Sequence, residues 1–153
     1  QQVPVQTAFS GPLKLKQRLG TLDPGKIAAT DPARLEEVFR EKPAIHRFPG
    51  NMAKRVQDLA VVVVADYGGD AERIWSEAAD GAELRRRIAA LPGFGDMKIK
   101  AFGAVLAKRF GVEAARELDP GHPTLGDVDS PEALEEYQAK KRAYKASMRA
   151  ARS

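Results

Sequence analysis

The chain has 153 residues and a net charge of +4, and it contains no cysteine and only two histidines, His46 and His122. This length suits one domain that buries its own core without staples, and the lack of cysteine excludes disulfide frameworks, zinc–thiolate sites and iron–sulfur clusters. The longest apolar run, residues 59–65, is too short to cross a bilayer, so no membrane partner is expected.

Positive charge is concentrated at the C-terminal end. Residues 136–153 contain six Lys or Arg and one acid, Glu136, whereas residues 1–135 contain 19 basic and 20 acidic residues. A basic helix end can contact phosphate groups, but it is also typical of an ordinary solvated helix. We therefore divide the sequence into a main domain over 1–135 and a basic C-terminal helix or tail over 136–153.

The N-terminal third predicts a series of short helices. Apolar residues at helical spacing run from the first residues to Phe9, so we expect an upstream segment and a first helix that is entered midway. Leu13, Leu15 and Leu19 predict a second helix. Asp23 and Asp31, each followed by proline, predict the N-caps of the next two helices.

The longest predicted helix contains the valine run. Apolar residues recur at helical spacing from Met52 to Val63, and Gly68 is typical of a helix end. Asn51 is the predicted N-cap of this helix. The valines are also compatible with a buried strand, but the helical periodicity begins well before the run. A helix is therefore favoured.

The C-terminal half predicts a helical hairpin and a final basic helix. Helices over 80–90 and 96–110 are separated by a five-residue turn, so they should pack as a hairpin. A loop is expected over 119–129. Ser130, followed by Pro131, predicts the cap of the last helix. The predicted fold class is all-α.

The hairpin turn, Leu91-Pro92-Gly93-Phe94-Gly95, is the most informative segment. Its two glycines allow tight or positive-φ conformations and let a large partner approach the backbone. The amides that follow lie at a helix start, where they favour an anion such as phosphate, and Lys98 and Lys100 add positive charge nearby. An ordinary helix-to-helix turn with capping glycines is the alternative.

This turn resembles the helix-hairpin-helix element, with its Leu-Pro-Gly-x-Gly pattern, of the helix-hairpin-helix/Gly-Pro-Asp superfamily of base-excision DNA glycosylases. Residues 1–3, Gln-Gln-Val, resemble the glutamine-bearing turn that these enzymes place against DNA, and residues 47–54 resemble the segment before their central helix. Residues 8–12 and 46–50 resemble a small, mostly actinobacterial branch. The resemblance implies a multi-helix fold with a hairpin over about 82–110, and the lack of cysteine means that this fold is expected without an iron–sulfur cluster.

The resemblance also implies a function, namely a base-excision glycosylase that hydrolyses the N-glycosidic bond of a flipped damaged or mismatched base. Bifunctional relatives carry a catalytic lysine where this chain has Met97, so the expected enzyme is monofunctional. We expect the catalytic residue to be Asp127, with Asp119 and Asp129 as alternatives. If all three are loop or capping carboxylates, the chain is an inactive module that binds bent or damaged duplex. A helical protein-interaction domain is a third, weaker reading.

Further site residues follow from the same resemblance. A monovalent cation, Na⁺ or K⁺, is expected on the carbonyls of Ala89, Leu91 and Phe94, with no other cofactor. The partner is double-stranded DNA, and the protein is expected to be a cytoplasmic, nucleoid-associated monomer. The base-pocket candidates are His46, Phe48 and Trp75. The residues expected to contact DNA are Gln2, Gly93, Phe94, Gly95, Lys98 and Lys100.

Overall fold

The computed structural model describes residues 8–150, and within that range the chain is all-α with no β-strand, as predicted. No helix in this range combines the length and apolar composition that crossing a bilayer requires. The α-helices are α1 (Gly11–Leu19), α2 (Pro24–Ala29), α3 (Pro32–Arg40), α4 (Pro49–Tyr67), α5 (Arg73–Ser76), α6 (Gly81–Ala90), α7 (Asp96–Phe110) and α8 (Pro131–Ala150); Glu113–Leu118 and Leu125–Asp127 form 3₁₀ helices.

The chain divides into two units. Of the described residues, 8–71 and 91–93 belong to the first unit, and 72–90 and 94–150 belong to the second. Both hairpin helices, α6 and α7, therefore lie in the second unit. The position predicted as a domain boundary, between residues 135 and 136, lies inside α8.

In the first unit, the predicted caps of α2 and α3 are confirmed. Asp23 accepts a hydrogen bond from the Lys26 N–H at 2.8 Å, and Asp31 accepts one from the Arg34 N–H at 3.0 Å. Each cap satisfies an amide that the first helical turn leaves without a partner. Helices α2 and α3 both pack against α4. The buried side chains of this core are Leu15, Ile27, Leu35, Val38, Phe39, Ala53 and Ala60.

The valine run is helical, as predicted, but the predicted N-cap of its helix is wrong. Helix α4 begins at Pro49, so Asn51 lies in its first turn and Phe48 is the cap. Proline suits this first position because it lacks the N–H that would otherwise need a partner. Just before it, the Phe48 N–H donates to His46 Nδ1 at 3.0 Å. The start of α4 is therefore determined by Pro49 and His46 rather than by Asn51.

Arg18 ties α1 to the C-terminal end of α3. Its guanidinium donates to the carbonyls of Val38, Glu41 and Pro43 at 3.1, 2.9 and 3.0 Å, and its Nε lies 3.2 Å from the Glu41 carboxylate. The Arg18 side chain is only 10% exposed. It satisfies carbonyls that the end of a helix leaves unpaired, which explains why a cation is retained at a mostly buried position.

In the second unit, small residues on α7 allow neighbouring segments to pack directly against its backbone. Gly103 lies against Leu118 of the first 3₁₀ helix, so closely that a Cβ at 103 would overlap the leucine side chain. Gly126 of the second 3₁₀ helix lies against the Ala104 carbonyl, and a Cβ at 126 would stand 2.5 Å from that oxygen. These two contacts position the 119–127 loop along α7.

We expect Gly126→Ala to destabilise the protein by about 1–3 kcal/mol, because the added methyl group meets a backbone carbonyl that cannot move independently of its helix. The measurement is the free energy of unfolding from urea denaturation. Gly95→Ala is the matched control. At Gly95 the backbone has φ −100° and ψ 178°, and no described atom lies within 4 Å of the Cβ position, so this variant should be neutral or slightly stabilising. Equal midpoints for the two variants would contradict the packing account.

Candidate functional site

The two hairpin glycines differ in what the fold requires of them. Gly93 has φ 78°, in the left-handed region that favours glycine. Gly95 is extended, a conformation that any residue adopts, and its Cβ position is open among the described residues. The positive φ predicted for this turn therefore occurs at Gly93. At Gly95 the missing side chain leaves the backbone accessible from outside.

Helix α7 begins at this turn without a side-chain cap. Asp96 in its first turn pairs with Arg85 of α6 at 2.6 Å, which joins the two hairpin helices. The Lys98 ammonium stands 5.7 Å from the centre of the Phe94 ring, close to the turn. Met97, in the first turn of α7, is 85% exposed.

A pocket of about 390 Å³ opens beside Met97 and Lys100. It is bounded by the first turns of α7, by the 120–125 loop and by α8. We call it the lysine–tyrosine pocket after the side chains that characterise it. These are Lys100, Lys141, Lys145, Tyr137, Tyr144 and His122.

This pocket contains both aromatic rings and ammonium groups. The His122 and Tyr144 rings lie 5.1 Å apart with an angle of 30° between their planes. The Lys141 ammonium donates to the Tyr137 hydroxyl at 3.0 Å and stands 5.2 Å from the centre of that ring. None of the described residues that line the pocket is acidic. It therefore presents hydrogen-bond donors and positive charge.

A second cleft, of about 450 Å³, adjoins the pocket and shares His122, Pro123 and Tyr137 with it. We call it the carboxylate cleft. Lys108 of α7 reaches into it and binds two of the predicted aspartates. Its Nζ lies 3.0 and 2.9 Å from the two carboxylate oxygens of Asp127, and 3.5 Å from Asp119 Oδ2.

Asp127 also completes a capping box with Thr124. Its Oδ2 accepts the Thr124 N–H at 2.7 Å, while the Thr124 hydroxyl accepts the Gly126 N–H at 3.2 Å. Thr124 is a buried polar side chain whose groups are satisfied by this exchange. The spacing of Thr124 and Asp127, three residues apart, is a sequence signal of a capping box that we did not use.

The ionisation of Asp127 follows from these contacts. Partial burial opposes the charged form, but the hydrogen bond from the Thr124 N–H and the Lys108 ammonium outweigh it, so the pKa of Asp127 lies below its ordinary value. The side chain is still 43% exposed. Asp127 is therefore a carboxylate that stays ionised at neutral pH while keeping access to the cleft.

The two alternative aspartates have different surroundings. Asp119 is 21% exposed, and its Oδ1 accepts the Gly121 N–H at 3.2 Å. Asp129 is well exposed and lies 3.3 Å from Arg109. Lys108 thus brings Asp127 and Asp119 together, whereas Asp129 has a separate cation and does not line the carboxylate cleft.

The predicted base-pocket residues lie elsewhere. His46 and Phe48 belong to the first unit, where the Arg47 guanidinium stands 4.6 Å from the centre of the Phe48 ring. Trp75, in the second unit, packs edge-on against Phe102 at 6.0 Å. None of the three lines the lysine–tyrosine pocket. Gln2 lies outside the described residues.

Sequence reasoning missed the two tyrosines that line the lysine–tyrosine pocket. Tyr137 and Tyr144 are seven residues apart with Lys141 between them, so all three lie on one face of α8. The spacing is visible in the sequence, but we considered only the charge of this segment, which is compatible both with phosphate contact and with a solvated helix end.

Within residues 8–150 there is no group of three His, Cys, Asp or Glu that could hold a metal ion. The cation site on the carbonyls of Ala89, Leu91 and Phe94 uses other ligands and stays a prediction. No family model matches the sequence, and the comparisons with curated proteins and with solved structures also give no match.

We expect Lys108→Met to raise the pKa of Asp127, because it removes both hydrogen bonds and the charge that favour the carboxylate. The measurement is an NMR titration of the Asp127 side-chain carbon. In the wild-type protein the folded-state pKa lies below that of the unfolded chain, so these contacts stabilise the fold above the ordinary aspartate pKa. That contribution is lost as pH falls through the folded-state pKa. Lys140→Met is the control, since Lys140 lines the same cleft but pairs with Glu136. An Asp127 pKa that moves equally in both variants would contradict the assignment.

Proposed function

We propose that this protein is a monofunctional base-excision DNA glycosylase with the fold of the helix-hairpin-helix/Gly-Pro-Asp superfamily. One observation carries the proposal: a single helix, α7, serves three parts of the site. Its first residue follows the open glycine turn, Met97 and Lys100 line the lysine–tyrosine pocket, and Lys108 holds Asp127 in the carboxylate cleft.

The turn is the proposed point of contact with DNA. A Cβ at 95 would have no atom of the described residues within 4 Å, so the packing of residues 8–150 gives no reason for glycine there. A close approach of the backbone to a phosphate does give one. The adjacent helix start carries no side-chain cap, and Lys98 and Lys100 add positive charge within its first two turns.

The lysine–tyrosine pocket is the proposed receptor of the extrahelical base. Tyr144, which is 41% exposed, offers an aromatic ring on which a flipped base stacks. Met97 supplies no amine, so no Schiff base forms with the sugar. The pocket replaces His46, Phe48 and Trp75 as our assignment for base recognition.

Asp127 is proposed to act on the sugar. When the N-glycosidic bond breaks, the electron pair leaves with the base and positive charge develops on the sugar. An ionised carboxylate stabilises that charge. Water then adds to the same carbon, and the proton that it loses balances the one that the departing base takes up. The lowered pKa makes Asp127 a weak proton acceptor, which favours this electrostatic role over general-base catalysis.

The hydrogen bonds that Asp127 already accepts favour a second candidate function. Its carboxylate already accepts hydrogen bonds from Thr124 and Lys108, as a purely structural capping residue would. If that is its whole role, the protein binds bent or damaged duplex through the hairpin without releasing a base. The two functions share the DNA contacts and differ only in chemistry.

We expect the full chain to release at least one damaged or mismatched base from a panel of lesion-bearing duplexes, with abasic sites revealed by alkali. Asp127→Asn should lower that rate by about a hundredfold, because it removes one electrostatic stabiliser while keeping the shape. Asp129→Asn, outside the carboxylate cleft, is the matched control and should keep its rate. Borohydride should trap no covalent adduct. Lesion-selective binding without base release would contradict the glycosylase and support the inactive DNA-binding module.

A further inference from the structure

The charged side chains that line the lysine–tyrosine pocket are hydrogen-bond donors. Lys100 comes from α7, and Lys141 and Lys145 come from one face of α8. Among residues 8–150, neither Lys100 nor Lys145 has a carboxylate within ion-pair distance. An ammonium group has three hydrogen-bond donors and no acceptor, so a ligand here meets donors in excess.

The positive charge of these three lysines would distinguish one class of damaged base from another. Alkylation of a purine at a ring nitrogen fixes a positive charge on the base, and three nearby ammonium groups would repel it. Deamination or oxidation replaces a donor or a C–H by a carbonyl acceptor, and some of the products, such as xanthine, readily lose a proton. Such bases accept the hydrogen bonds that the lysines offer.

The rings argue for a base rather than a phosphate as the occupant. Lysines alone would suffice to hold a phosphate. Here the Tyr137 ring is buried beneath Lys141, and the tilted His122 and Tyr144 rings form a second aromatic surface. A ligand that uses both features is flat, aromatic and rich in acceptors.

We propose that the lysine–tyrosine pocket selects neutral, carbonyl-rich or acidic bases, the products of deamination or oxidation, and rejects cationic alkylated purines. The proposal rests on the proposed function, since it names the substrate class of that site. Lys100, Lys141 and Lys145 are its specificity-determining residues.

The test measures binding of the full chain to four duplexes of identical flanking sequence, by fluorescence anisotropy at fixed salt. The central nucleotide carries xanthine, uracil, 7-methylguanine or undamaged guanine, with a 2′-fluoro sugar that prevents base release. We expect the xanthine and uracil duplexes to bind roughly tenfold or more tightly than the undamaged one, about the value of one charge-assisted hydrogen bond. The 7-methylguanine duplex should gain nothing.

The double variant Lys100→Gln/Lys145→Gln should reduce the preference for xanthine over 7-methylguanine severalfold. Arg142→Gln, on α8 but outside the pocket, removes a charge without this effect. A preference for 7-methylguanine, or a xanthine preference unchanged in the double variant, would overturn the inference and leave the proposed glycosylase standing. Equal binding of all four duplexes would overturn the proposed function as well.

Discussion

The second unit depends on the close approach of a loop to the backbone of α7. Gly103, Ala104 and Gly126 remove the side chains that would otherwise hold the loop away. That contact is short enough for Lys108 to reach across to Asp127 and Asp119. Without it, Asp119 and Asp127 of the loop would lose their ion pairs with Lys108 of α7, and α7 and α8 would not enclose a pocket with the loop.

Two adjoining regions beside the loop differ in chemistry. In the carboxylate cleft, Asp127 and Asp119 supply negative charge that Lys108 partly neutralises. The described residues that line the lysine–tyrosine pocket include lysines and aromatic rings but no acid. A nucleotide with its base on the cationic side and its sugar near the carboxylates would experience both fields. This difference is the physical basis for assigning base selection to one cleft and charge stabilisation to the other.

Local signals in the sequence predicted much of the fold. Asp23, Asp31 and Ser130 cap helices where expected, and α6 and α7 match the predicted hairpin, because caps, prolines and helical periodicity act over a few residues. The start of α4 was missed because a histidine side chain contacts the preceding backbone. The 3₁₀ helices were missed because they are too short to show a period. The lysine–tyrosine pocket joins residues about forty positions apart, which no local pattern encodes.

The central claim is that DNA binds at the hairpin turn and inserts a nucleotide between α7 and α8. Its most direct test is NMR chemical-shift mapping of the full chain, titrated with a duplex that contains one xanthine nucleotide with a 2′-fluoro sugar, whose base is not released, and with the same duplex undamaged. The account predicts lesion-specific shifts at Gly95, Met97, Ala101, Tyr137 and Tyr144. Shifts confined to the exposed basic residues of α8 and identical for both duplexes would contradict it, because they would indicate charge-driven contact alone.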